Sequence, residues 1–457
     1  MSENERLPLV SLIVLNWNGR QHLEYCLPSL LATDYPRYEI VVVDNASTDD
    51  SVAFVRENFP SVQVIANERN LGFSAGMNVG LRAAQGEIMV LLNNDVEVRP
   101  DWLRALVGAM LADETVGVAG CKVYYPDGKT LQHAGATLNY PLLTSHHYGY
   151  QEEDQGQYDE IRTVDYVTGA ALALKREVLN KVGYLDEGFF LYYDDPDLCF
   201  HARRAGYTVI YVPDAVILHH EMATNVKGSF FSLHHYHRSR LRFFLKHYTV
   251  QQFLDDFVPA ELERLEQTTS PEDLQATRRG YLEAMLMLPE LLSSRASPSE
   301  IERVHEALEG LREAALRRRI TIYGSLPDEW YLQELTARQV LEEPGFHSDV
   351  PVVGPLIAGF REAWNNVSTK WYVRLILQQQ VAFNRLAAAL LDDLSSQAGA
   401  NAKDVSWLAG ELADMNRNFL ETLNQMQNDL DDLRDRLERI ETALVRDGSL
   451  NAHGNSP

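Results

Sequence analysis

The sequence predicts an α/β fold, a sheet with helices on both faces, followed by an all-helical C-terminal region and a coiled coil. Three observations lead there. Apolar, β-branched runs alternate with helically spaced segments four times within the first 112 residues. Beyond residue 250 the composition shifts to Leu, Glu, Arg, Ala and Gln at helical spacing, and near the end a seam of apolar residues repeats in alternating steps of three and four.

The first unit pairs Leu9 to Leu15, an apolar strand, with a helix over Gln21 to Ala32. Glu39 to Val43 precedes a helix at 49–58, Val62 to Ile65 one at 73–84, and Glu87 to Leu92 one at 100–112. Continuous strands of this kind are buried on both sides, so the sheet should be largely parallel. Through 120–165 Pro, Gly, Tyr and His are frequent and periodicity fades, which predicts loops and short strands above the sheet. Order returns with a strand over Val167 to Lys175, a short helix over Arg176 to Val182, and a helix from Pro196 to Ala205 closed by Gly206. Tyr207 to Val212 reads as the last strand.

Domain boundaries are expected at 1–250 for the α/β domain, 251–400 for the helical region, 401–446 for the coiled coil and 447–457 for a disordered tail. Ser297-Pro298-Ser299-Glu300 is a capping box with proline at the first helical position. Leu423, Met426, Leu430, Leu433, Leu437, Ile440 and Leu444 form the seam, which predicts a homo-oligomer. The aromatics Phe360, Trp364, Trp371 and Tyr372 suit core packing or peripheral contact with a membrane surface.

With 65 acidic against 41 basic residues, the formal charge of −24 argues against nucleic acid as a partner. Cys26, Cys121 and Cys199 are too few for a disulfide framework and match no zinc spacing, so a reducing, cytoplasmic location is expected. The N-terminus is polar and no apolar run is long enough to span a bilayer.

Chemistry concentrates where strands end. Asp44 closes the second strand and is followed by Asn45-Ala46-Ser47-Thr48-Asp49. It can serve the turn, or accept a hydrogen bond from a nucleotide base in the crevice of an open sheet. Gly72, Gly76 and Gly80 share one helix face, where something must approach closely; Asn70 and Gly72, ahead of the helix, are the better ligand candidates. The spacing is neither the dinucleotide fingerprint nor a phosphate loop. Asn93-Asn94-Asp95 follows a buried strand, and one carboxylate there suits Mg²⁺ or Mn²⁺ completed by substrate phosphates. In Asp194-Asp195-Pro196-Asp197 the proline marks a helix start with Asp195 as its N-cap. Three acids within four residues repel, which points to a shared proton, cation or ligand. His219 and His220 end another apolar run; His234, His235, His237 and Arg238 follow closely.

Taken together and in order, these motifs resemble a family-two glycosyltransferase, nearest to the rhamnosyltransferase-like bacterial members. Val-Asp-Asn-Ala-Ser-Thr-Asp at 43–49, Asn-Leu-Gly-Phe at 70–73, Leu-Asn-Asn-Asp at 92–95, Thr-Gly-Ala at 168–170, Leu-Asp-Glu-Gly-Phe-Phe at 185–190, Tyr-Asp-Asp-Pro-Asp-Leu-Cys at 193–199 and His219 carry the likeness. The resemblance implies the GT-A fold and an inverting transfer of sugar from a nucleotide-diphosphate sugar to a hydroxyl of a glycan or lipid-linked acceptor, in cell-surface polysaccharide synthesis. It implies that Asp44 binds the base, that Asn93-Asn94-Asp95 stands in the Asp-x-Asp position, that Asp95 and His219 ligate the metal, and that Asp195 is the catalytic base. The donor site would comprise Asp44, Asn70, Gly72, Asn94 and Asp95. Two departures are visible: Asn93 replaces the first Asp, and Asp194 replaces the Glu that usually precedes the base. The Gln-x-x-Arg-Trp motif of processive synthases is missing, which favours addition of a single sugar. Two rivals differ in class. A nucleotidyltransferase would need a basic, glycine-rich loop after the first strand, which is lacking. A catalytically silent sugar-nucleotide-binding scaffold acting through its coiled coil would not need Asp95 and Asp195.

Overall fold

The computed structural model describes residues 7–220 and 228–323 of the chain. The coiled coil, the tail and the aromatics at 360–372 lie outside these residues. The expected strand and helix units are present: β1 (Val10–Asn16), α1 (Arg20–Leu31), β2 (Tyr38–Asp44), α2 (Ser51–Asn58), β3 (Gln63–Ala66), α3 (Gly72–Ala83), β4 (Ile88–Asn93), β5 (Val96–Val98) and α4 (Trp102–Ala112). Then come β6 (Val116–Tyr124), β7 (Leu131–His133), β8 (Ala136–Asn139), β9 (Thr144–His147), β10 (Arg162–Thr163), β11 (Ala171–Lys175), α5 (Arg176–Val182), α6 (Asp194–Arg204) and β12 (Thr208–His219).

Strands β3, β2, β1 and β4 are parallel neighbours, the apolar β1, β2 and β4 inside and the partly exposed β3 at the edge. The sheet then turns mixed, because β11 enters antiparallel between β4 and β6. On β1, Val10, Leu12 and Val14 pack with Leu23 and Leu27 of α1 and Leu106 of α4. Ile13 faces the other way, toward Met77 and Leu81 of α3 and the buried side of α6. Two apolar layers therefore cover one sheet, and the result is a mixed α/β architecture with helices on both faces. The last strand is longer than expected. Thr208–His219 runs through the Val212–Val216 irregularity, so the apolar run before His219 belongs to the same strand as Tyr207 to Val212 was expected to form.

A helical layer follows: α7 (Phe230–His247), α8 (Val250–Gln252), a π-helical turn (Phe253–Phe257), α9 (Val258–Gln267), α10 (Pro271–Leu292) and α11 (Pro298–Tyr323). The predicted Ser297 box forms, with Ser297 Oγ and Glu300 exchanging hydrogen bonds with each other's backbone N–H. No helix among the described residues is long and apolar enough to cross a membrane. The layer is tied by charge as well as by apolar contact. Arg240 and Glu261 are both fully buried and paired at 2.5 Å, and Tyr281 Oη donates to the same Glu261 oxygen at 2.6 Å. Arg264 also donates to Glu261, and these cations hold its carboxyl far below the usual range despite burial. Removing one partner of such a pair strands the other in an apolar medium. Glu261→Ala should therefore lower stability by about 3–5 kcal/mol, read as a fall in the urea midpoint of the purified chain; a loss under about 1 kcal/mol would mean that Arg240 finds another partner.

Candidate functional site

The carboxyl ends of β1, β2 and β4 lie level, because the strand register sets Asn16 opposite Asp44 and Leu15 opposite Asn93. Each strand ends in a polar side chain, and those of β1 and β2 bond to each other and to Asn94, just past the end of β4. Asn94 Nδ2 donates to Asn16 Oδ1 at 2.7 Å, and Asn16 Nδ2 donates to Asp44 Oδ2 at 2.9 Å. Ser47 completes the set, with its hydroxyl donating to Oδ2 and its backbone N–H to Oδ1 of Asp44. Asn16, fully buried, is the residue that sequence reasoning missed; its signal is a polar side chain closing an apolar strand just before the Trp17-Asn18-Gly19 turn. A Cβ at Gly19 would stand 2.0 Å from Asn94 Nδ2 and 2.6 Å from Asn16 Oδ1, so only glycine leaves room for this bridge. Trp17, 42% exposed, stands beside it at the end of β1.

The helix glycines do meet close neighbours. Cβ atoms at Gly76 and Gly80 would fall 2.7 Å from Leu15 and 2.3 Å from Ile13 of β1, so helix-to-sheet packing accounts for both. Gly72 adopts φ +78 against the Phe190 ring, and its N–H is received by Asn70 Oδ1 at 2.9 Å. Asn45 Nδ2 donates to the Gly72 carbonyl, which joins this turn to the end of β2.

Asp95 and His219 meet although 124 positions separate them. After the Asn94-Asp95 turn, β5 runs back antiparallel to β12 with Val96 opposite His219, and the His220 N–H donates to the Asp95 carbonyl. His219 Nδ1 donates to Gln132 Oε1 at 2.6 Å, so in the neutral ring Nε2 keeps its lone pair. Asn93 Nδ2 donates toward that nitrogen at 3.3 Å. Nε2 also lies 3.1 Å from Asp95 Oδ1, a buried oxygen that no donor reaches with hydrogen-bond geometry. A lone pair and a carboxylate oxygen aimed at each other suit a shared cation, and the Gln132 bond is the outer contact that orients an imidazole ligand. Burial raises the Asp95 carboxyl; His219, when protonated and so donating from Nε2, and the charge of His22 outweigh it and bring the group below its usual range.

Asp195 is reached from β11. The Asn93 N–H donates to the Ala170 carbonyl, and one residue earlier the Gly169 N–H donates to Asp195 Oδ2 at 2.9 Å. The Thr168–Gly169–Ala170 turn thus joins the end of β4 to the acidic cluster. Contrary to the expected N-cap role of Asp195, α6 begins at Asp194 and its cap is Tyr193, which makes no side-chain capping bond. Pro196 sits third in the helix, where its missing N–H has no intrahelical acceptor to lose. The entry is forced by Tyr192 and Tyr193, both left-handed at φ 64 and 65 and held by bonds to Ser232 and to the Leu143 carbonyl. Burial raises both carboxyls; the charges of Asp195 and Asp197 push Asp194 up further, while the Gly169 N–H opposes the rise at Asp195.

The third acid has a different task. Asp197 accepts from His247 Nε2 at 2.6 Å and Lys246 Nζ at 2.8 Å, pinning α6 to α7. With His201 these groups lie close enough to share an ion, but Lys246 already supplies positive charge to Asp197. His234 pairs with Glu283 and His237 with Asp273 in the helical layer. Arg238 donates to the Gly188 carbonyl and pairs with Glu283, the salt-bridge use of that side chain.

Residues 11–183 match the family profile described as Glycosyl transferase family 2. The chain is similar to the uncharacterized protein y4gI of Sinorhizobium fredii, 36% identical over 48% of this chain and 25% of that one. It is similar to the O-antigen biosynthesis protein RfbC of Myxococcus xanthus, 32% identical over 48% of this chain and 18% of that one. It also resembles the N-acetylglucosaminyl-diphospho-decaprenol L-rhamnosyltransferase of Mycobacterium tuberculosis, 26% identical over 50% of this chain and 82% of that one. The chain spans a quarter or less of the length of the first two relatives.

The Asp194 shift makes a stability prediction with a definite sign. A carboxyl whose folded pKa lies above its unfolded value near 4 binds its proton more tightly when folded, so stability falls as pH rises through that window. Asp194→Asn removes the buried charge. Its melting temperature should exceed that of the parent at pH 8, with the difference closing toward pH 4. Equal melting curves at both pH values would refute the repulsion.

Proposed function

We propose, from the premise that residues 11–183 form a family 2 glycosyltransferase domain, that this protein transfers a single sugar from a nucleotide-diphosphate sugar to an acceptor hydroxyl with inversion. The acceptor we assign is a glycan or lipid-linked saccharide in cell-surface polysaccharide synthesis, a reading supported by the named activity of the mycobacterial relative. The observation that carries the proposal is the Gly169 to Asp195 bond, which fixes a carboxylate two backbone contacts from the end of β4.

In this reading Asp44 and the exposed face of Trp17 receive the base, with Asn70, Gly72 and Asn94 shaping the donor crevice beside them. Asp95 and His219 would hold Mg²⁺ or Mn²⁺, whose charge, when bound, offsets that of the diphosphate. Asp195 accepts the proton of the acceptor hydroxyl as that oxygen attacks the anomeric carbon and the diphosphate leaves. A base is most effective when its pKa approaches the working pH, and the upward shift of Asp195 moves it that way. The neighbouring Asp194, raised further, is the partner that stays protonated and so spares Asp195 a second adjacent charge. Three buried, separate thiols suit a cytoplasmic site of action.

Asp195→Asn should lower turnover by about 10²–10⁴-fold in a mass-spectrometric assay with a panel of sugar nucleotides, while donor affinity measured by calorimetry stays within a few-fold. Undiminished turnover would remove Asp195 from the role, and donor binding without turnover in the parent chain, whatever the acceptor, would favour a binding scaffold. In the parent, the acid limb of the pH profile of kcat should lie above the ordinary carboxylate value near 4, because the folded Asp195 must lose its proton before it can accept one.

A further inference from the structure

Beside Asp195 runs a second polar chain that the reaction as described does not use. The Thr168 N–H donates to His133 Nε2 at 3.3 Å. His133 Nδ1 and His147 Nδ1 lie 2.9 Å apart, and His147 Nε2 lies 3.0 Å from the Tyr166 hydroxyl. Three strands bring the rings together: His133 ends β7, His147 ends β9 opposite Ala136, and Ala136 bridges to Tyr166. His133 is buried, which with the adjacent ring keeps it neutral.

These contacts admit one arrangement of protons. A backbone N–H can only donate, so His133 Nε2 must accept and the proton of the neutral ring sits on Nδ1. Nδ1–H then donates to His147 Nδ1, which leaves the His147 proton on Nε2, donated to the Tyr166 oxygen. The direction of the whole chain is thus set by Thr168. That residue opens the turn whose next N–H, from Gly169, holds Asp195.

We propose that His133, His147 and Tyr166 are positioning residues: a one-way hydrogen-bonded chain that fixes the Thr168–Gly169 turn and so keeps the Gly169 N–H on the Asp195 carboxylate. The inference rests on the reading of Asp195 as the base. Asp194 and Cys199 from its own helix and Tyr166 from the segment before β11 are the titratable groups coupled to Asp195, all three favoured in their neutral forms, while the Gly169 N–H is a donor that favours the Asp195 anion against burial. If the turn loosens, that donor is lost and the anionic form of Asp195 weakens.

The test uses the full chain with ¹⁵N-labelled histidine and ¹³C-labelled aspartate, observed by NMR. In the parent, His133 should be a neutral Nδ1–H tautomer and His147 an Nε2–H tautomer; the reverse assignment, or a charged His133 at neutral pH, overturns the proposal. His133→Leu, which removes both the acceptor and the donor, should raise the titration midpoint of the Asp195 carboxyl by about one pH unit, the value of one hydrogen bond to a charged group. His133→Gln, which can accept from Thr168 and donate to His147, should restore it. A midpoint unchanged in a folded His133→Leu protein refutes the proposal, and if that variant does not fold the tautomers decide. None of these readings needs turnover, so an enzyme that works without Asp195 would count against the base assignment and not against this chain.

Discussion

A polar side chain taken out of water must be paired or must bind something, and at the carboxyl ends of β1, β2 and β4 that constraint organises the crevice. Asn94, Asn16, Asp44 and Ser47 form one connected series, so Asn94 and the proposed base-binding aspartate are held by the same buried amide. Against this background Asp95 stands out. Its Oδ1 is buried, lacks a donor in hydrogen-bond geometry, and looks at an imidazole lone pair oriented from behind by Gln132. Two such lone-pair donor atoms 3.1 Å apart suit a shared cation.

The rest of the molecule places this pair and the carboxylate of Asp195. The antiparallel insertion of β11 beside β4 carries the Thr168–Gly169–Ala170 turn to the strand end. The return of β5 along β12 carries His219 to Asp95. On the far side of α6, Asp197, Lys246 and His247 fasten the acidic helix to α7, while Arg242 and Lys246 on α7 pair with Asp186 just upstream of the Tyr192–Tyr193 turn. The helical layer thus bears on the site through the helix that holds Asp195, the proposed base.

Much of this was legible in the residues, for reasons that differ from element to element. Strands β1, β2 and β4 and their helices announce themselves because a strand buried on both faces must be largely apolar, while β3, at the sheet's edge, is partly exposed. Asp44, Asp95 and Asp195 stand out as candidates because acids after such runs are conspicuous. What the residues concealed were long-range pairings and unusual backbone. Nothing local ties His219 to Asp95, since the contact depends on the three-residue strand β5. The proline rule set the start of α6 two residues late, because two consecutive left-handed tyrosines cannot be anticipated from propensities that disfavour them. Asn16 and the His133–His147 pair lay in plain view, but their roles exist only once strands bring their partners within reach.

The central claim is that Asp95 and His219 share a divalent ion, and electron spin echo spectroscopy of added Mn²⁺ tests it without knowledge of the sugar or acceptor. With Mn²⁺ and a nucleoside diphosphate bound to the full chain, the account predicts nuclear modulation from one directly coordinated imidazole nitrogen, shifted by ¹⁵N-histidine labelling and lost in His219→Ala. Bound Mn²⁺ that carries no nitrogen modulation, or modulation that survives in His219→Ala, would contradict it.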